Sequence, residues 1–209
     1  LNKKSLFMVT FNQKEMLAGR NIISAGLVKA AESLSFFMNE TITLNEVDQE
    51  DSLSVSNIEI EKKNQSNIHL MITKVIGELK GVCCLIFSEE EADQLRKTAL
   101  PPEVLNSPEM MAEMSDGIML EVDNIISASV ITQFSNMLKV KIYGGVPELR
   151  KVNSTELESY MQEEINNEMY LVSFKTKFKS SHVSFAPEFI WLFDNTFVES
   201  IKNYSATLA

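Results

Sequence analysis

The sequence predicts an α+β fold: one domain over residues 1–209, with two long helices in one layer and a mainly antiparallel sheet in the other. Three observations predict it. Residues 12–38 and 109–139 repeat apolar side chains at three- and four-residue spacing, the period of a helix with one buried face. Between and after them lie short segments rich in Val, Ile, Leu and Phe, the composition of strands. The second half of the chain also resembles the first, which implies a pseudo-two-fold duplication. "RNIISAGLVKAAESL" lies on "DNIISASVITQFSNM", and "CLIFSEEEADQLRKTA" lies on "IWLFDNTFVESIKNYS". Asn21 and Asn124 are 103 residues apart, and Phe87 and Phe193 are 106 apart. One nearly constant offset for two separate matches weighs against coincidence between amphipathic helices. The repeats would span about 12–100 and about 108–206.

Taken in order, the elements follow from local chemistry. After the first helix, "TITLNEV" reads as a strand, and "LSVSNIEIEK" (53–62) alternates apolar and polar residues as a half-buried strand does. "IHLMITKVIG" and "LKGVCCLIF" read as two further strands joined by a turn at "ELKG". "SEEEADQLRKTAL" opens with a capping Ser and acids in its first turn, so a helix is expected. "PPEVLNSP" breaks the pattern before the second long helix. "KVKIYGGVP" is then a strand ending in a turn, and "STELESYMQEEINN" a capped helix with no counterpart in the first half. "MYLVSFKTKFK" and "HVSFAPEFIWLF" are strands, and "DNTFVESIKNYSA" a last helix opening with Asp194.

Composition excludes several functions. A net charge of −10 on 209 residues argues against gripping a phosphate backbone or an anionic lipid surface, both of which need clustered Lys and Arg. No apolar run is long enough to cross a bilayer as a helix, so no membrane insertion is expected. The two cysteines, Cys83 and Cys84, are strand neighbours and point to opposite faces, poorly placed to bridge each other. With no disulfide framework, no Cys/His metal spacing and no secretory signal pattern, a cytoplasmic location is expected.

On the second long helix Gly117, Glu121, Asn124 and Ala128 fall on one stripe, while Ile118, Val122, Ile125 and Ile126 lie off it. Asp123 is expected at the surface. The small residues Gly117 and Ala128 would let another molecule approach the carboxylate and the amide. Spacing alone leaves open a merely solvated stripe, a buried hydrogen-bonded pair and a site.

Glu-x-x-Asn followed by 22 residues and then Pro, here Glu121, Asn124 and Pro147, resembles the motif of the CheC/CheX/FliY family of chemotaxis phosphatases. "GIMLEVDNIISASVITQFSNML" is similar to that family's active-site helix, and "VIGELKGVCCLIFSEEEADQL" to its central strand pair and following helix. The likeness covers most of residues 12 to 206 and is CheC-like, with two repeats in one chain. It departs at Gly117, where the family has Asp or Ser, with Ser115 and Asp116 just before it at another helical angle. In the first repeat Asn21 is kept, but Ala18 stands at the Glu position, Lys14 at the Asp/Ser position and Leu44 at the Pro position. One competent site, in the second repeat, is therefore expected, with Asn21 a relic or a local hydrogen-bonding group.

The resemblance implies a phosphatase acting on the aspartyl phosphate of a CheY-type response regulator. Asn124 and Glu121 would be its catalytic residues: Asn124 would hold the attacking water, and Glu121 would contact the regulator's lysine. The protein would need no cofactor of its own, since Mg2+ would reside on the regulator. Pro147 would stiffen the "YGGVP" turn. A non-catalytic adaptor for a response regulator or a CheD-type deamidase is the alternative, and a FliY-like switch component a third. The sequence leaves the oligomeric state open. His69 and His182 stand alone and are expected to be structural or surface residues. "EEEAD" reads as a solvated first turn, and Trp191 as core. No phosphate-binding Gly-rich loop and no nucleophile elbow is present.

Overall fold

The computed structural model describes residues 11–48, 67–166 and 170–208. In chain order its elements are α1 (Gln13–Phe37), β1 (Thr43–Asp48), β2 (Ile68–Gly77), β3 (Gly81–Ser88), α2 (Glu89–Ala99), α3 (Pro102–Leu105), α4 (Pro108–Leu138), β4 (Ile142–Gly144), β5 (Glu148–Val152), α5 (Ser154–Asn166), β6 (Tyr170–Lys179), β7 (Ser184–Phe185), β8 (Glu188–Phe193) and α6 (Asn195–Thr207). The strand expected at residues 53–62 lies outside the described residues.

Helix starts follow the capping residues. Asn12 accepts from the Glu15 amide at 3.0 Å while Glu15 accepts from the Asn12 amide at 2.8 Å, a reciprocal cap worth about 1 kcal/mol. Ser88 and Glu91 do the same for α2, and Asp194 accepts from the Phe197 amide to start α6. Ser88 and Asp194 stand in equivalent positions of the two repeats and do the same work. For α5 the cap is Asn153, one residue before the expected start. The breaker segment "PPEVLNSP" holds one short helical turn, α3. Lys139 ends α4 in the left-handed conformation at φ 57, where glycine is usual.

The sheet order is β1-β6-β8-β3-β2-β4, every described pairing being antiparallel. Exchanging each strand for its counterpart in the other repeat reverses this order onto itself. At the centre, Cys84 of β3 is paired in register with its counterpart Ile190 of β8. The repeats interlock rather than lie side by side, since β1 pairs with β6 and β4 with β2.

The helix α1 packs chiefly on α4. They approach so closely at Gly26 that a Cβ there would sit 2.6 Å from the Val130 Cα. Beneath them the core runs from Ile22, Leu27, Val122, Ile126 and Val130 to Met71, Cys83, Leu85 and Trp191 on one sheet face. Trp191 is fully buried, and Phe134 of α4 meets the rings of Trp191, Phe193 and Phe197 at 5.0–5.6 Å. The helix α5 extends the two-layer plan. Its Leu157 and Met161 cover Leu70, Cys84, Ile86 and Ile190 on the other sheet face. That is why β3 and β8 are buried along their whole length, with no polar alternation. Cys83 and Cys84 fall on opposite faces, in the two separate clusters.

Candidate functional site

The two faces of α4 are chemically distinct. Met119, Val122, Asp123, Ile126, Ser127, Val130, Ile131 and Phe134 form its buried stripe at three- and four-residue spacing. Gly117, Glu121, Asn124 and Ala128 are all exposed on the other side. Met110 and Met114, also exposed, continue that stripe toward the helix N-terminus. Within the described residues no hydrogen bond or ion pair ties down the Glu121 or Asn124 side chain.

The pair opens into a groove of about 450 Å³, lined by Gly117, Leu120, Glu121 and Asn124 on α4 and by Gly144, Gly145, Val146 and Pro147 opposite. The opposite wall is a break in an edge strand. β4 pairs with β2 from Val75 to Gly77, and β5 pairs with β2 from Ile68 to Ile72. Three residues, 145 to 147, therefore stand against two, Thr73 and Lys74, which makes a bulge. Pro147 fits there because a bulge does not need the amide it lacks. The Gly145 amide still donates to the Lys74 carbonyl at 2.8 Å. Val146 is 92% exposed and Tyr143 61%, so the rim beside the polar pair is apolar.

Gly117 has nothing within 4 Å of where a Cβ would stand. The position carries no supporting side chain and has room for one. Its neighbours are anchored instead. Ser115 Oγ accepts from the Arg96 guanidinium at 3.2 Å, and Asp116 pairs with Lys151 of β5 at 2.9 Å. Arg96 is buried and also binds Glu89 and Asp93. Glu89 in turn lies 3.0 Å from Nε2 of the buried His69, and these contacts hold its carboxyl below the ordinary range against its desolvation. His69 is therefore a structural residue. So is Glu89, one of the acids expected to be only solvated, and Glu91 likewise accepts from the Ala186 amide. His182 lies in a bend outside the strands, exposed, with Nδ1 2.7 Å from Glu40.

Asp123 corrects the sequence reading. It is fully buried, and its Oδ2 accepts from Thr73 Oγ1 at 2.6 Å. Burial pushes its carboxyl up to about 7, with the Thr73 hydroxyl opposing the shift. A signal for this was present: Asp123 follows Met119 by four residues and precedes Ser127 by four, all on the buried stripe. The groove wall at Gly144–Val146 was likewise missed as a site element, although paired glycines before a proline mark a break in a strand.

In the first repeat Lys14 and Asn21 are exposed, Leu44 is half-buried and Ala18 is fully buried. The position that would carry the carboxylate is closed. Among the described residues, no three His, Cys, Asp or Glu side chains come together as a metal site, and no helix is long and apolar enough to cross a membrane.

No protein-family model and no curated protein matches the sequence. Solved structures do match. Thermotoga maritima FliY superposes with a TM-score of 0.68 at 15% identity, covering 97% of this chain and all of that one. CheX in a CheX–CheY–BeF3–Mg2+ complex from Borrelia burgdorferi gives 0.52 at 13% identity, over 83% of this chain and 98% of that one. FliM in a FliM–SpeE complex from Helicobacter pylori gives 0.58 at 10% identity, over 95% and 100%. The fold of this chain is that of the CheC/CheX/FliY family.

Proposed function

We propose that this protein removes phosphate from the aspartate of a phosphorylated CheY-type response regulator, through Glu121 and Asn124. One observation carries the reading: the carboxylate and the amide stand exposed and unencumbered on one helix face, at the mouth of a groove with an apolar rim. It is supported by the Glu-x-x-Asn and Pro spacing and by a likeness of fold to a CheX solved together with CheY.

The chemistry follows from what each group can do. An acyl phosphate is already activated, and what it lacks is a water held in line with the phosphorus. The Asn124 carbonyl accepts from that water while its NH2 donates elsewhere. An amide does not titrate, so Asn124 acts by placement and not as a general base. A single placed group contributes about 3–4 kcal/mol, by comparison with one oxyanion-hole donor. Glu121 makes a charge-assisted contact with the regulator's lysine and fixes the register. The Mg2+ belongs to the regulator.

A second reading rests on Gly117, which leaves Glu121 without a supporting side chain: an adaptor that binds a regulator, or a CheD-type deamidase, without turnover. Fold alone does not choose between the two, because one fold can host more than one function. Mixing the protein with a phosphorylated receiver domain separates the two. Faster phosphate loss in a single turnover is expected. Tight binding with an unchanged decay rate would establish the adaptor.

A further inference from the structure

Taking Glu121 and Asn124 as the acting pair, we propose that Asp123 is a positioning residue that sets the width of their groove, by pinning α4 to the same two-residue step of β2, Thr73–Lys74, that holds the opposite wall. The two attachments are adjacent. Thr73 Oγ1 donates to Asp123 Oδ2 at 2.6 Å from the helix side, and the Lys74 carbonyl accepts from the Gly145 amide at 2.8 Å from the bulge side. The wall has no slack between them. A Cβ at Gly144 would stand 3.3 Å from Thr73 Cγ2 and 3.3 Å from Ile131 Cδ1 of α4, and one at Gly145 would stand 3.2 Å from Ile76 Cδ1.

Asp123 is suited to this because the rest of the stripe is not. Val122, Ile126 and Val130 are apolar and non-directional, so they choose which face of the helix is buried but fix its rotation less finely than a hydrogen bond does. Because a helix is a rigid rod, fixing Asp123 fixes the direction of Asn124 beside it. The remaining Asp123 oxygen, Oδ1, and Ser127 Oγ one turn along are buried with no partner among the described residues, so Thr73 alone holds the carboxyl.

The pin also titrates. Burial places the Asp123 carboxyl at about 7, so both its forms are populated near neutrality at the base of the groove. Few charged groups face it. Cys83 does so from β3, its thiol raised well above the ordinary range by burial and by Asp123 itself. Arg96 of α2 is engaged with Glu89, Asp93 and Ser115, and the buried residues of α1 are apolar.

The test uses the full chain without a partner. Backbone amide spectra are followed by NMR from about pH 5.5 to about pH 8.5, a window that brackets the transition. The signals of Asn124, Gly144 and Gly145 are expected to move together with one midpoint near pH 7. Asp123→Asn, which keeps an acceptor for Thr73 and cannot ionise, should abolish the movement and leave all three signals near their low-pH positions. Asp123→Ala and Thr73→Val should displace both walls at every pH. The proposal is overturned if Gly144 and Gly145 stay fixed while Asn124 titrates, or if Asp123→Asn titrates like the parent. A receiver domain whose phosphate is lost no faster with the protein would remove the phosphatase reading and leave the pin standing. Faster loss without shared titration would do the reverse.

Discussion

The helices α1 and α4 occupy matching places on a sheet whose strand order reverses onto itself, yet their outer and inner faces have diverged in different ways. Outside, α4 presents Glu121 and Asn124 beside an open groove, while α1 presents Asn21 with no carboxylate one turn before it, Ala18 being buried at that position. Leu17 and Val28 are exposed on α1 as well. Inside, the buried face of α1 is wholly apolar, whereas α4 carries Asp123 and Ser127 into the core. The fold tolerates either solution. The two helices thus differ in an exposed polar pair on one face of α4 and a buried polar group on the other, neither of which α1 has.

The largest effect expected from this contrast is on stability against pH. Asp123 is held at about 7 in the folded state against an ordinary value of 3.8, so between those limits the folded protein keeps a proton that the unfolded chain has lost. Its stabilising contribution is full below the lower limit, falls as pH rises and is gone above the upper, a change of about 4 kcal/mol. Denaturant unfolding at stepped pH should show that decline, and Asp123→Asn should remove that part of the slope. An unchanged slope would place the carboxyl in the ordinary range.

Next in size is catalysis. Asn124→Ala is expected to cost about 3–4 kcal/mol of the acceleration of phosphate loss, on the order of 10²–10³ in rate, whereas Asn21→Ala leaves the rate alone. Equal losses from the two would mean that the first-repeat face still works.

Two glycines give the smaller effects, of opposite sign. Gly26→Ala drives a Cβ into the Val130 backbone at the crossing of the long helices and should destabilise the protein by about 1–3 kcal/mol. Gly117→Ala adds a Cβ into open space in mid-helix and should stabilise by about 1 kcal/mol. Thermal unfolding of both variants checks the pair of signs.

Much of this was legible in the sequence because the strongest signals are periodic or chemical. Apolar spacing located α1 and α4, and Ser88 and Asp194 located the starts of α2 and α6. The Glu121–Asn124 stripe was readable as one helix face. What escaped was set by tertiary pairing. β5, "ELRKV", has charged residues along an edge, with only Leu149 and Val152 half-buried, so no alternation marks it as a strand. The covering role of α5 was implied by "GVCCLIF" and "EFIWLF", since an unbroken apolar strand needs both faces covered. Asp123 points away from the Glu121–Asn124 stripe, and that direction leads into the core rather than to the surface, where its Thr73 partner on a strand distant in sequence helps make burial tolerable.

The most direct test is a titration of a phosphorylated receiver domain with increasing amounts of the parent, Glu121→Ala and Asn124→Ala, recording the single-turnover rate of phosphate loss. Water placement by Asn124 requires its variant to lose the plateau rate while the half-saturating concentration stays put, and docking by Glu121 requires its variant to need more protein. An Asn124→Ala protein that reaches the parental plateau would contradict the assignment.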